Sequence, residues 1–139
     1  GHDSRWIHRP HMDWALAQAA SGRAASDSDD DNHSFTAARV YRGVRRILHR
    51  RASVTAFHAK NPTIIVETGR DGLFAFVREA PTGTVVCVFN FTERGSGIAG
   101  AWARRKGATA FHDELSGRPV ATADDGVIAL PPYARLWLS

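Results

Sequence analysis

From Phe57 onward the sequence predicts a mainly β fold, and three observations carry the prediction. Apolar and polar residues alternate, which puts successive side chains on opposite faces of a strand. Turn-forming clusters break the alternation at short intervals: Gly69-Arg70-Asp71-Gly72, Pro81-Thr82-Gly83, Gly95-Ser96-Gly97, Ser116-Gly117 and Asp124-Asp125-Gly126. The run Val85-Val86-Cys87-Val88-Phe89-Asn90-Phe91 is largely apolar on both faces, the pattern of a central strand covered on both sides. Short strands with hairpin-like connections give an antiparallel sheet or a small sandwich.

The elements follow in order. Residues 1–10 read as loop. Pro10 stands where a helix can begin, and Met12, Trp14, Ala15, Leu16 and Ala19 support a short helix over His11–Ala20. Residues 21–32 form a second loop rich in Ser, Ala, Gly and Asp. Ser34 or Thr36 caps a longer helix reaching Arg51. Val40, Tyr41, Val44, Ile47 and Leu48 recur at helical spacing on one face, and arginines occupy the rest. That helix stabilises little alone and needs a partner surface for its stripe. The candidate strands are Thr63–Glu67, Leu73–Glu79, Thr84–Phe91, Thr109–Asp113, Val127–Ala129 and Ala134–Leu138. No internal repeat is present.

Size and composition narrow the function classes. The chain has 139 residues, enough for one ordinary domain or a fragment of one plus a smaller second one. No run approaches the roughly 20 apolar residues of a membrane span, so no membrane partner is expected. A cytoplasmic location is favoured. The single cysteine, Cys87, excludes an intrachain disulfide framework and reads as a buried, inert thiol. The formal net charge is +4, with Arg39, Arg42, Arg45, Arg46, Arg50 and Arg51 close together. A nucleic-acid site would interleave stacking aromatics with them, and only Tyr41 is there. They read as the solvated face of the helix, and no nucleic-acid partner is expected.

Chemistry is sparse. None of the seven histidines has a spacing diagnostic of zinc. His2, His8 and His11 crowd the opening near Asp3, and His112 and Asp113 are strand neighbours that point to opposite faces. The acidic run Asp27, Asp29, Asp30, Asp31 lacks the glycine and final glutamate of a calcium loop. Neither a metal nor a cofactor is expected. Asn90-Phe91-Thr92 matches a glycosylation sequon, but Asn90 falls inside a buried strand. Glycoside hydrolysis needs two carboxyl groups flanking one bond, and no such pair is evident here. No catalytic residue is therefore assigned.

The two ends of the chain differ in character. The opening, Asp3-Ser4-Arg5-Trp6-Ile7-His8-Arg9-Pro10, is dense in polar and aromatic groups and reads as a loop built to meet a ligand. Leu130-Pro131-Pro132-Tyr133-Ala134-Arg135-Leu136-Trp137-Leu138 closes on an apolar strand. Together they suggest the last part of a larger enzyme. Arg5 offers a planar fork of donors for a carboxylate or sugar hydroxyls, and Trp6 a flat face for a sugar ring. Pinning the loop is an equally open role for both.

The opening motif, continued by Met12-Asp13-Trp14, resembles the last active-site loop of amylosucrases and sucrose hydrolases, members of glycoside hydrolase family thirteen in the α-amylase clan. Later pieces agree in order. Tyr41-Arg42-Gly43-Val44-Arg45-Arg46-Ile47 resembles the final barrel helix. Leu73-Phe74-Ala75-Phe76-Val77-Arg78 and Val88-Phe89-Asn90-Phe91-Thr92-Glu93 resemble strands of the C-terminal β-domain. Asp113-Glu114-Leu115-Ser116-Gly117 and Leu130-Pro131-Pro132-Tyr133 resemble its last turn and strand.

The resemblance implies a division at 1–55, the end of a (β/α)₈ catalytic barrel, and 56–139, a C-terminal antiparallel β-sandwich. It implies a retaining enzyme whose nucleophile, acid/base and stabilising carboxylate all lie upstream, so the chain alone is expected to be inactive. Arg5 would close the bottom of the glucosyl pocket against an upstream aspartate, with Asp3 shaping the same loop. These two are the candidate substrate-binding residues. The implied partners are sucrose or an α-glucan, reached through the parent enzyme, and the missing barrel. Two alternatives stand beside this reading. One is a clan member acting on another α-glucoside or a maltodextrin. The other is an independent β-rich module that binds glycans or a protein.

Overall fold

In a computed structural model, the described residues are 11, 13–15, 17–18 and 37–139. The chain divides into two units, Gly1–Leu48 and His49–Ser139.

In the first unit, residues 14–15 and 17–18 are helical, within the stretch predicted to be so. Helix α1 runs Ala37–Ser53 and crosses the unit boundary. Its predicted caps, Ser34 and Thr36, lie outside the described residues. Its apolar positions have little cover: Val40 is 54 % exposed, Val44 51 % and Leu48 57 %. Ile47 is half-buried.

The second unit is built on antiparallel pairing throughout. Its strands are β1 (Thr63–Val66), β2 (Leu73–Ala80), β3 (Gly83–Asn90), β4 (Ser96–Ala99), β5 (His112–Asp113), β6 (Arg118–Pro119), β7 (Val127–Leu130) and β8 (Arg135–Leu138). Six form one sheet in the order β1-β2-β3-β8-β5-β6, and β4 pairs with β7 as a separate ribbon. The β2–β3 hairpin closes on Ala80 opposite Gly83, leaving Pro81 and Thr82 at its tip. That is the turn the proline–glycine pair predicts.

The two sheets share one core. Ala75 and Val77 of β2, Val86 and Val88 of β3 and Leu138 of β8 meet Ile98 of β4 and Ile128 and Leu130 of β7. Helix α2 (Gly100–Arg105) closes one side through Ala103. As expected, β3 is covered on both faces, and Val85, Val86, Cys87 and Val88 are all buried.

Three sequence expectations are corrected. Gly95-Ser96-Gly97 is not simply a turn, because β4 begins at Ser96. Gly97 is there for proximity: a Cβ would stand 2.6 Å from Val127 Cγ1 and 3.0 Å from the Ile128 carbonyl oxygen. Only a bare backbone lets β4 approach β7 so closely. The predicted strand over Thr109–Asp113 shrinks to His112–Asp113. Phe111 just before it has φ 47°, which interrupts an extended run. Finally, α2 was not anticipated, since Gly100-Ala101-Trp102-Ala103 is too short a stretch to establish a helical period.

The far face of the large sheet carries the other side-chain set. Register places Ile65, Phe76, Cys87 and Trp137 in one row across β1, β2, β3 and β8. Phe74, Phe89 and Arg135 form the next row. A 3₁₀ turn, Thr55–Phe57, lies over one end of this face. Phe57 packs on Trp137 with ring centroids 4.5 Å apart, and both are buried. Arg78 fastens the segment. Its Nε donates to the Ala56 carbonyl at 3.1 Å, one terminal nitrogen donates to the His58 carbonyl at 2.8 Å, and the other bonds Thr63 Oγ1.

Candidate functional site

The two residues picked as substrate-binding, Asp3 and Arg5, lie outside the described residues, as do Trp6, His8 and the acidic run 27–31. The polar groups that the fold does assemble belong to the motifs of the β-domain, and two of them are hubs.

The first is Asn90, at the end of β3 and 2 % exposed. Its amide nitrogen donates to the carbonyls of Arg94 at 2.8 Å, Leu130 at 3.1 Å and Pro131 at 3.0 Å. Its Oδ1 accepts from the Thr92 backbone N–H at 3.0 Å and the Thr92 hydroxyl at 2.7 Å. A buried polar side chain must be satisfied, and every polar atom of this one is engaged. The sequon is therefore spent on structure: its amide is buried and bonded, so no glycan can be attached in the folded domain.

Asp113 is the second hub, 5 % exposed in β5. Its Oδ1 accepts from the backbone N–H of Trp137 at 2.9 Å and of Leu115 at 3.2 Å, and its Oδ2 from that of Ser116 at 3.0 Å. The carboxylate thus shapes the turn Glu114–Gly117 and ties it to β8. The same turn is held from outside, where Arg50 Nε donates to the Glu114 carbonyl at 2.6 Å. An acid 5 % exposed and committed to three backbone donors serves the fold, and its neighbour His112 is half-buried.

At the other end of the domain, Pro131-Pro132-Tyr133-Ala134 makes a tight turn, with Ala134 N–H donating to the Pro131 carbonyl at 3.0 Å. Tyr133 holds φ 57°, a region that favours glycine, and its ring is exposed. Its hydroxyl reaches Glu93 Oε1 at 3.4 Å.

The lone thiol behaves as the sequence suggests. Cys87 is fully buried, and burial pushes its pKa up from 9.0 to about 12. A thiol so protonated is a poor nucleophile and metal ligand. Among the described residues, no group of three His, Cys, Asp or Glu side chains is placed to hold a metal ion. No described helix is long and apolar enough to cross a membrane. No buried side-chain nitrogen or oxygen among the described residues lacks a hydrogen-bond partner.

Sequence reasoning set Asn90 aside as buried and overlooked its role. The signal was available: an asparagine inside an apolar strand has to find partners, and Thr92 two residues on supplies the local half.

The class defined by these groups is an antiparallel β-domain whose buried polar chemistry is devoted to its own turns. Residues 71–139 match the family model described as amylosucrase, C-terminal domain. This part of the chain is amylosucrase-like, and the match takes in both hubs and the Tyr133 turn. No match to a curated protein accompanies it.

Proposed function

We propose that the chain is the non-catalytic C-terminal part of a retaining α-glucosyl enzyme of glycoside hydrolase family thirteen that acts on sucrose, transferring glucose to a glucan or to water. The observation that carries this reading is the match of residues 71–139 to the amylosucrase C-terminal domain. The opening motif around Arg5 supports it independently, because it lies outside the matched residues. The β-domain would be the accessory part, its two buried polar hubs being engaged in its own turns.

In this reading the chain adds one group to the glucosyl site. The Arg5 guanidinium pairs with an upstream carboxylate and presents its remaining donors to sugar hydroxyls, while Asp3 holds the loop that carries it. The nucleophile and the acid/base are supplied by the polypeptide that precedes this part in the full-length protein.

Sucrose turnover tests the proposal. The full-length protein should release glucose or extend a glucan, and the 139-residue chain should do neither. In the full-length protein, Arg5→Ala strands a buried charge, at a cost of roughly 3–5 kcal/mol. That lowers kcat/KM by about 100-fold or more. Arg5→Lys should recover little, because an ammonium lacks the planar fork. Near wild-type turnover by folded Arg5→Ala would remove Arg5 from the site. Turnover of maltooligosaccharides in place of sucrose would move the enzyme to another branch of the clan.

A further inference from the structure

The chain holds two aspartate–glycine pairs, Asp71-Gly72 and Asp125-Gly126, both in exposed turns, and the fold treats them differently. Such a pair is a weak point of polypeptide chemistry. The amide nitrogen after the aspartate can close a five-membered ring on the side-chain carboxyl, and glycine has no side chain to obstruct it. Closure requires the peptide plane between the two residues to turn, so hydrogen bonds to that plane or to the carboxylate oppose it. The Asp125 turn is tied down at these groups. Asp125 Oδ1 accepts from the Val127 N–H at 3.0 Å, and the Gly126 N–H donates to the Ala123 carbonyl at 2.8 Å. The Ala123 N–H donates in turn to the Val127 carbonyl at 2.9 Å. The turn at Asp71 is held only around it. Thr68 Oγ1 accepts from the Arg70 N–H at 3.2 Å, and the Leu73 N–H donates to the Arg70 carbonyl at 3.4 Å. Among the described residues, neither the Asp71 carboxylate nor the Gly72 N–H has a partner, and these are the two groups that must meet. Gly72 holds φ 75° at the third position of this turn, the type II arrangement. Glycine accepts both signs of φ, so the peptide plane before it can flip at little cost.

We propose that Asp71-Gly72 is a site of spontaneous isomerisation to isoaspartate, while the fold protects Asp125-Gly126. The Gly72 nitrogen bonds to Asp71 Cγ, and the Cγ–OH bond of the protonated carboxyl breaks. The hydroxyl leaves as water with the proton from the Gly72 nitrogen. Water then opens the ring. Where it cleaves the bond between the Asp71 main-chain carbonyl carbon and the nitrogen, the chain runs on through the side chain, and the former main-chain carbonyl becomes a free carboxylate. One water is lost and one regained, so the mass is unchanged and no other reactant is needed. The product lengthens the backbone by one carbon where there is no room to spare. Even a Cβ on Gly72 would collide with the methyl of Thr92, and the Gly72 carbonyl accepts from the Phe91 N–H at 2.9 Å. Thr92 is bonded through its N–H and hydroxyl to Asn90 Oδ1, so the altered turn presses on one of the two buried hubs.

Ageing the 139-residue chain at neutral pH, folded and in guanidinium, tests the proposal. Cleavage after glutamate releases residues 68–79 and 115–139, each carrying one of the two pairs. Electron-transfer fragmentation in the mass spectrometer distinguishes isoaspartate from aspartate at each position, and a sample digested before ageing corrects for isomerisation during handling. In the folded chain, isoaspartate at 71 should exceed that at 125 by about tenfold or more, because the second turn must first give up its hydrogen bonds. In guanidinium the two positions should converge. Equal accumulation at the two positions of the folded chain overturns the proposal, as does none at 71. So does an excess at 71 that persists undiminished in guanidinium, which would make the neighbouring sequence its cause and not the fold. Sugar turnover enters neither measurement, so the outcome is independent of the proposed function.

Discussion

Leu48 on α1 and Leu138 on β8 are the same side chain in opposite circumstances. Leu48 is 57 % exposed and Leu138 is fully buried. Both lie in runs whose periodicity marks them as inward-facing, one helical and one stranded. The β-domain answers its own pattern, because β4, β7 and α2 supply the apolar surface that the large sheet requires. The α1 stripe has no such answer within the described residues. A hydrophobic pattern therefore reports a demand for burial and leaves open which part of a protein meets it.

The sharpest way to break this contrast is to attack the polar groups that make the domain self-sufficient. Asp113→Ala removes the acceptor for three backbone donors, two of them on buried residues. Stranded donors cost about 1–3 kcal/mol each, so a loss of roughly 4 kcal/mol is expected in urea unfolding. Asp113→Asn should recover part of it. An Asp113→Ala domain as stable as wild type would show that the turn holds itself.

Next in size is the leucine pair. Leu138→Ala opens a cavity in the shared core and should cost about 2–5 kcal/mol. Leu48→Ala should change the stability of the isolated chain by no more than about 0.5 kcal/mol. Equal costs would erase the distinction between the two regions. A large cost for Leu48→Ala seen only in the full-length protein would sharpen it.

The buried thiol gives a third, pH-dependent measure. Cys87 keeps its proton in the folded state up to about 12, whereas the unfolded chain releases it near 9.0. Above 9.0 the unfolded state thus binds fewer protons, and stability falls as pH rises through that window. The slope from this group approaches about 1.4 kcal/mol per pH unit. Cys87→Ala should remove that slope in urea titrations at alkaline pH. In the folded protein at pH 8, a thiol reagent should leave Cys87 unlabelled until denaturant is added.

The smallest effect belongs to Tyr133, whose left-handed backbone is costly for any side chain with a Cβ. Tyr133→Gly should raise stability by about 0.5 kcal/mol, seen as a higher urea midpoint with unchanged slope. A drop instead would mean that the exposed ring and its contact with Glu93 matter more than the strain.

Much of the architecture was readable because β-structure announces itself locally. The alternation in Leu73–Ala80 and the double-faced run through Cys87 located β2 and β3 to within a residue or two. What escaped was set by distant atoms. Gly97 looks like a turn residue in sequence, and only Val127 across the ribbon makes it a strand residue. The two-residue strand β5 is tied to β8 by Asp113, which accepts from Trp137, a pairing that no local pattern contains. The predicted site was legible only by resemblance, since Asp3 and Arg5 carry no periodicity, and both fall outside the described residues.

The place of β8 in the large sheet has a consequence for biosynthesis. It lies between β3 and β5, with Val86 opposite Leu138 and Asp113 also opposite Leu138. The β1–β2–β3 meander and the β5–β6 pair are joined only through this strand, the last of the eight to emerge from a ribosome. Translation proceeds at about 5–20 residues per second, so the inner edge of β3 waits for seconds with its hydrogen bonds unpaired. That edge carries Val85-Val86-Cys87-Val88-Phe89, an uncharged run of high strand propensity. During synthesis the nascent chain is thus most vulnerable to aggregation, and most in need of a chaperone, along the strand that ends up best protected.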